Sequence, residues 1–424
     1  VTRLLADIRP LRESPAFRRL WLGTSLSSIG GAMTSFALML QVYDLTRSSA
    51  AVGAIGLAQA VPVVSFGVVG GSLADAVDRR RLTLITGGCL TMVSAAFAAQ
   101  AFLGLRQLWL LYVLAAVQAL LQAVDGPARR TFLPRLVSAD QIAAGVALSQ
   151  LAGYGSILLG PVLAGVTTAA AGLPACYLID ALSFCAGLYG VARLPPMPPQ
   201  GDLARRGLRA AVEGLRFIRH HSVLAAAFLA DMDAMVFGLP VALFPALNAA
   251  RFGGAPQTLG LLTASLAAGG LLGSALSGPA GRVRRQGRAM LVTVATWGVA
   301  IAGFGLTRAL WADLLLLAIA GAADTTSVIF RGTIVQAVTP DAVRGRVTSV
   351  DYVVGVGVPS LGNAEAGLVG SLTSPAISAV SGGLATVIGV LLLRLAMPAF
   401  ARYEAAPKPG PTANDISQDA AAAT

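Results

Sequence analysis

The stretch Gly71-Ser72-Leu73-Ala74-Asp75-Ala76-Val77-Asp78-Arg79-Arg80-Arg81 lies between two long apolar runs, at roughly 51–74 and 82–104. Each run is near the twenty residues that a helix needs to cross a bilayer. The pattern repeats in both directions. Further runs at roughly 17–42, 107–127, 141–169, 174–193, 223–247, 257–280, 289–307, 310–330, 347–371 and 376–398 make twelve candidate spans. Helices are expected, because in lipid every backbone polar group must be satisfied inside its own segment.

Composition leads to the same class. Of 424 residues, 55% are hydrophobic and 12% charged, with a mean hydropathy of +0.73; soluble domains carry about 25% charged residues. Charge this sparse cannot cover a soluble surface, so an ordinary soluble enzyme is excluded. Lys408 is the one lysine, and a phosphate-cradling loop ends in Gly-Lys-Ser/Thr, so nucleotide hydrolysis by that route is excluded as well. Cys89, Cys176 and Cys185 sit in apolar runs with no CxxC pair. The adjacent His220 and His221 point about 100° apart on a helix, a poor geometry for a metal. No catalytic residues, metal or cofactor are expected, and the chain is not read as an enzyme.

The connections set a topology. Of the 31 Lys and Arg, 27 lie at the two ends and in alternate connections, and only Arg47, Arg106, Arg251 and Arg308 in the others. Basic loops face the cytoplasm, which predicts an inner-membrane protein with both termini inside. It also argues against nucleic acid as a partner, since the cations form one membrane-facing layer. The first twenty residues are basic and interrupted by Pro10 and Pro15, so no cleavable signal peptide is expected.

The expected organisation is a cytoplasmic segment 1–16, a six-helix bundle 17–194, a linker 195–222, a second bundle 223–400 and a disordered tail 401–424. The linker opens with four prolines between 195 and 199. It then places Leu208, Val212, Leu215 and Ile218 on one face against arginines, which predicts an amphipathic helix on the membrane surface. The halves echo one another. The 71–81 stretch is matched by 278–288, with Arg282 near the place of Asp75, and Ser138-Ala139-Asp140 by Thr339-Pro340-Asp341. Such repeats place a substrate site between the halves near the midplane.

Here the motifs become specific. The loop motif Gly71, Asp75, Arg79, Arg80 and Arg81 resembles that of the major facilitator superfamily. Gly155, Gly160, Pro161 and Gly165 in the fifth span resemble that superfamily's antiporter motif. The stretches SPAFRRLWLGTSLSSIG near the start, LFPAL at 243–247 and QAVTPDAVRGRVTSV at 336–350 are similar to the branch containing the enterobactin exporter and macrolide efflux proteins. The resemblance covers nearly the whole chain. It implies the twelve-helix, all-α major facilitator fold and alternating access. It further implies a gating latch between the 71–81 loop and span 11, and a cavity lined by spans 1, 4, 7 and 10.

Acids inside a membrane are functional candidates by default. Asp231 and Asp233 lie 8–10 residues into span 7, roughly 12–15 Å deep. Two residues apart, they point about 200° apart, so one of them faces the cavity. With Asp324 they are the candidates for coupling to H+. Asp125 lies toward the cytoplasmic side, and Asp180 and Glu365 toward the outer side. Span 4 is read as carrying no basic residue inside the membrane. Met33, Phe36, Met39, Gln118, Gln122 and Asn248 are the cavity candidates. Together these lead to a monomeric, proton-driven exporter of an amphipathic siderophore or antibiotic-like metabolite. Multidrug or macrolide efflux is the alternative, and uptake comes after it.

Overall fold

The computed structural model describes residues 7–195, 197, 208–278 and 283–404; the side chains of 66–76, 130, 208–211, 341, 342, 349, 352 and 356 are not described. The chain is helical throughout these segments. The first half runs α1 (Arg9–Glu13), α2 (Pro15–Thr46), α3 (Ser49–Ala76), α4 (Arg79–Phe102), α5 (Leu108–Arg130), α6 (Leu133–Leu136), α7 (Ile142–Ala171) and α8 (Leu173–Ala192). Then come α9 (Leu208–His220), α10 (Ser222–Phe237), α11 (Phe244–Phe252), α12 (Pro256–Ala275), α13 (Gln286–Leu306), α14 (Leu310–Val338), α15 (Asp341–Leu372), α16 (Pro375–Ala396) and α17 (Pro398–Ala401).

Ten helical stretches among the described residues are long and apolar enough to cross a membrane. Two expected spans fall outside that count but keep their places in the alternation. One is α3, apolar over 49–65; the other is α15, 32 residues long. Span 7 differs from expectation. It breaks after Phe237, where Gly238 and Pro240 interrupt the hydrogen-bond ladder, and resumes at Phe244. The predicted spans 4 and 10 were too short, because α5 continues to Arg130 and α14 to Val338. Apolarity stops at a charge, but backbone hydrogen bonding does not.

Local signals set the helix ends. Ser14 caps α2 by accepting from the Phe17 N–H at 3.1 Å, with Pro15 at the first position. Ser374 does the same for α16. Large apolar side chains such as Met92, Trp311 and Leu395 remain exposed on the outside of the bundle, as expected of helices whose solvent is lipid.

The arginine-rich connections gather at one end. Arg9 pairs with Asp140, Arg285 with Glu404 and Arg346 with Glu213, and the Arg80 guanidinium donates to the Ala192 carbonyl. At the opposite, arginine-poor end the two halves close on one another. The Ser48 and Ser371 hydroxyls are 3.2 Å apart, joining α3 to α15. Gly165 brings α7 so close to α12 that an added Cβ would lie 2.6 Å from the Pro256 carbonyl oxygen. By contrast, a Cβ at Gly155 or Gly355, nearer the basic end of the same two inter-half helices, would meet nothing within 4 Å among the described residues. The described contacts between the halves are thus tight at the arginine-poor end.

The predicted linker helix is present as α9. Gly214 seats it on α15, where a Cβ would lie 2.5 Å from the Arg346 carbonyl oxygen, and Glu213 pairs with Arg346 at 2.9 Å. Ile218 is buried while Val212 and Leu215 are exposed. The expectations for residues 1–6, Pro196, Pro198, Pro199, the Leu208 side chain, Arg282 and the tail beyond 404 lie outside the described residues.

Candidate functional site

Polar groups are built into each half of the bundle. In the first half they line a cavity of about 310 Å3 between α2, α4, α5 and α8. Its α2 wall is Thr24, Ser28, Gly31 and Ser35, a stripe of small residues at helical spacing. Its α5 wall is Gln122, Asp125 and Arg129. Asp125 and Arg129, one helical turn apart, form a close ion pair. Asp125 also accepts from the Thr86 hydroxyl at 2.9 Å, and Arg129 reaches Thr24 at 3.5 Å. Arg129 therefore belongs to the helix of span 4 and not to the connection after it. Arg129 was assigned to a loop because the apolar run ends at 127, yet the helix carries it into the cavity wall.

In the other half, Arg331 of α14 is buried. Its guanidinium meets Asp231 of α10 at 3.2 Å and Asp351 of α15 at 2.8 Å, and it lies over the Phe228 ring at 5.7 Å. Asp324, seven residues before Arg331 and so on the same face of α14, is within electrostatic reach of both Asp231 and Arg331. Three helices thus converge on one buried cation. Sequence reasoning missed Arg331, counted as a loop residue, and Asp351. The available signal was the two-turn spacing from Asp324 to Arg331.

Asp231 and Asp233 point apart as their spacing requires. Asp233 packs its carboxylate against Gly389 of α16, and one of its oxygens is buried with no hydrogen-bond partner among the described residues. Asp180 is fully buried and accepts from the Thr34 and Ser94 hydroxyls, each at 2.7 Å, joining α2, α4 and α8. A further buried pair at the arginine-poor end, Arg251 with Asp313 at 3.2 Å, was not anticipated. Arg251 also donates to the Phe304 and Gly305 carbonyls, closing the ends of α11, α13 and α14 together.

Of the six cavity candidates, only Gln122 lines the cavity found. Met33, Phe36 and Met39 lie in the hydrophobic core, on other faces of α2 from the Thr24–Ser35 stripe. Gln118 is buried one turn before Gln122. Asn248 is buried in α11, where its amide donates to the Ala255 carbonyl at 3.0 Å. Apolarity had suggested an adaptable lining, but these side chains are needed to fill the core.

The antiporter-type residues divide. Gly160 abuts Ala32 of α2, Gly165 abuts α12, and the Pro161 carbonyl lies against Gly260 of α12, whereas a Cβ at Gly155 would meet nothing within 4 Å among the described residues. In the loop motif, the side chains of Gly71 and Asp75 lie outside the described residues. The acid observed at work is Asp78. It caps α4 by accepting from the Arg81 N–H, and it accepts from the Met197 N–H, each at 3.0 Å. The Arg79 N–H donates to the Met197 carbonyl. Burial alone would raise the Asp78 carboxyl, but the N–H donors of Arg81, Met197 and Arg80, with the Arg81 charge, hold it below the usual carboxylate range. These contacts tie the loop to the segment after α8.

Among the described residues no group of acids, His and Cys could hold a metal ion. The family model for transmembrane secretion effectors matches residues 6–420. The chain is 27% identical over 405 residues to the enterobactin exporter EntS of Citrobacter koseri, covering 95% of this chain and 97% of that one. It is 26% identical over 414 residues to the enterobactin exporter of Escherichia coli, covering 97% and 98%. Among solved structures it resembles the nucleoside transporter NupG (TM-score 0.72, 14% identity, 92% of this chain and 99% of that one). It also resembles a bacterial homologue of the iron transporter ferroportin in an inward-facing state (TM-score 0.68, 15% identity, 91% and 98%). With the helical bundle, the repeat and a family match over nearly its whole length, the chain belongs to the transmembrane secretion effector family of the major facilitator superfamily, and is a multi-pass membrane transporter rather than an enzyme.

Proposed function

We propose that the chain is a proton-driven exporter, working as a monomer, of an amphipathic small molecule of the siderophore or antibiotic-like kind. The observation that carries the coupling is the buried meeting of Asp231, Arg331 and Asp351, with Asp324 beside it. Buried carboxylates sharing one guanidinium can exchange a proton against a change in pairing, and such groups in a membrane mark ion pathways. Export, and the substrate class, are carried over from the relatives named as enterobactin exporters. The small polar cavity of the first half suits the hydrogen-bonding end of such a molecule. The arginine-rich end is taken as cytoplasmic. On that reading the seal at the other end makes this an inward-facing state, with the bundles 17–194 and 223–400 rocking about the α3–α15 and α7–α12 contacts.

Gene deletion followed by mass spectrometry of the medium, from iron-poor and iron-rich cultures, tests the direction and the substrate class. Loss of one extracellular metabolite with its accumulation inside, restored by the intact gene, is the expected result. In proteoliposomes loaded with that metabolite, Asp231→Asn and Asp324→Asn should each abolish dependence on a pH gradient while leaving exchange of substrate. Unchanged gradient dependence in both variants, and in Asp233→Asn, overturns the coupling assignment.

A further inference from the structure

At the basic end of the second half, α13, α16 and α17 surround a groove of about 460 Å3, with α17 at the level of the helix ends. Four arginines, Arg285, Arg288, Arg394 and Arg402, stand at its rim. Glu404 answers part of this charge, pairing with Arg285 at 3.2 Å and with Arg284 at 3.7 Å. Arg288, Arg394 and Arg402 have no carboxylate within ion-pairing distance among the described residues. The charge and the apolar surface are arranged by depth. Val292 lies one turn beyond Arg288, and Leu391 almost one turn before Arg394, so both sit about 5 Å deeper in the groove. Both are more than half exposed. The groove therefore presents guanidinium groups at the level of the helix ends and apolar walls below them, on the outer surface of the bundle.

We propose that this groove binds one anionic phospholipid, its phosphate held by Arg288, Arg394 and Arg402 and an acyl chain lying along Val292 and Leu391. The charge complementarity is with phosphate oxygens, which guanidinium forks recognise. The apolar floor distinguishes a lipid from a free anion, which has no use for it. No part of this depends on the transported substrate.

Purified full-length protein in neutral detergent would be titrated with diphosphatidylglycerol, with phosphatidylcholine of the same acyl chains, and with inorganic phosphate, and bound lipid read by native mass spectrometry. Selective retention of one diphosphatidylglycerol is expected. Arg288→Gln, Arg394→Gln and Arg402→Gln should each weaken it about five-fold, and the triple variant about a hundred-fold. Glu404→Gln should tighten it by freeing Arg285, a gain that misfolding cannot mimic. Arg216→Gln with Arg219→Gln, equally basic but on α9, should leave it unchanged. Equal retention of phosphatidylcholine, an equal loss in the α9 variant, or displacement of the lipid by inorganic phosphate at matched concentration would overturn the proposal.

Discussion

Replacing Arg331 by Gln removes the one cation shared by two acids. Asp231 keeps only 6% of its side chain exposed, and Arg331 8%. Breaking a pair this buried leaves an uncompensated charge and costs about 3–5 kcal/mol. Asp351 differs, because 40% of its side chain is exposed and water can take over from the guanidinium. Asp351→Asn should therefore cost about 1 kcal/mol or less. The diagnostic case is the double variant Asp231→Asn with Arg331→Gln. It replaces both members of the buried pair by neutral amides, so the stranded Asp231 charge of the single Arg331 variant is absent and the two losses should not add. A coupling energy of about 2–3 kcal/mol is expected. Reversible denaturant unfolding in mixed micelles, run as a double-mutant cycle, measures it. Losses that add to within about 0.5 kcal/mol would show that the two groups do not act as a pair, and the reasoning about this site would fall.

Gly165→Val should prevent closure of the arginine-poor end, since its side chain would enter the Pro256 backbone, whereas Gly155→Ala should be tolerated in this state; labelling of a cysteine placed at Ser48 reports the difference. Arg251→Met should cost about 3–5 kcal/mol by stranding the buried Asp313, and Arg251→Met with Asp313→Leu should recover most of it in thermal unfolding. Asp78→Ala should cost about 1 kcal/mol through loss of the α4 cap. Because the Asp78 carboxyl titrates below its unfolded value, its contribution is complete above about pH 4 and is lost as pH falls through the lower folded value. The gap between wild type and variant should thus be full at pH 7 and close at acid pH; a gap independent of pH would contradict the assignment.

Much of the architecture was legible in the sequence because the bilayer imposes simple rules. Apolar runs of one length give spans, and the arginine bias gives one basic end. Both repeats and the linker helix follow from residue pattern alone. The site was legible only in part. Asp231, Asp233 and Asp324 could be named because a carboxylate inside an apolar run has few innocent explanations. Their partners could not, since Arg129 and Arg331 stand where the apolar runs end and hydropathy cannot tell a helix that continues from a loop. The cavity wall was hidden for the opposite reason. Thr24, Ser28, Gly31 and Ser35 are small and unremarkable one by one, while the more conspicuous Met33, Phe36 and Met39 were needed for the core.

The sequence by itself determined the class of protein and the end that bears the arginines, because each depends on local composition measured against lipid. Only the tertiary structure decided which arginine meets which acid, which end of the bundle is sealed and which face of α2 is wet. These depend on the rotation and spacing of helices far apart in the chain, set by close packing at a few glycines and by the need to neutralise buried charge.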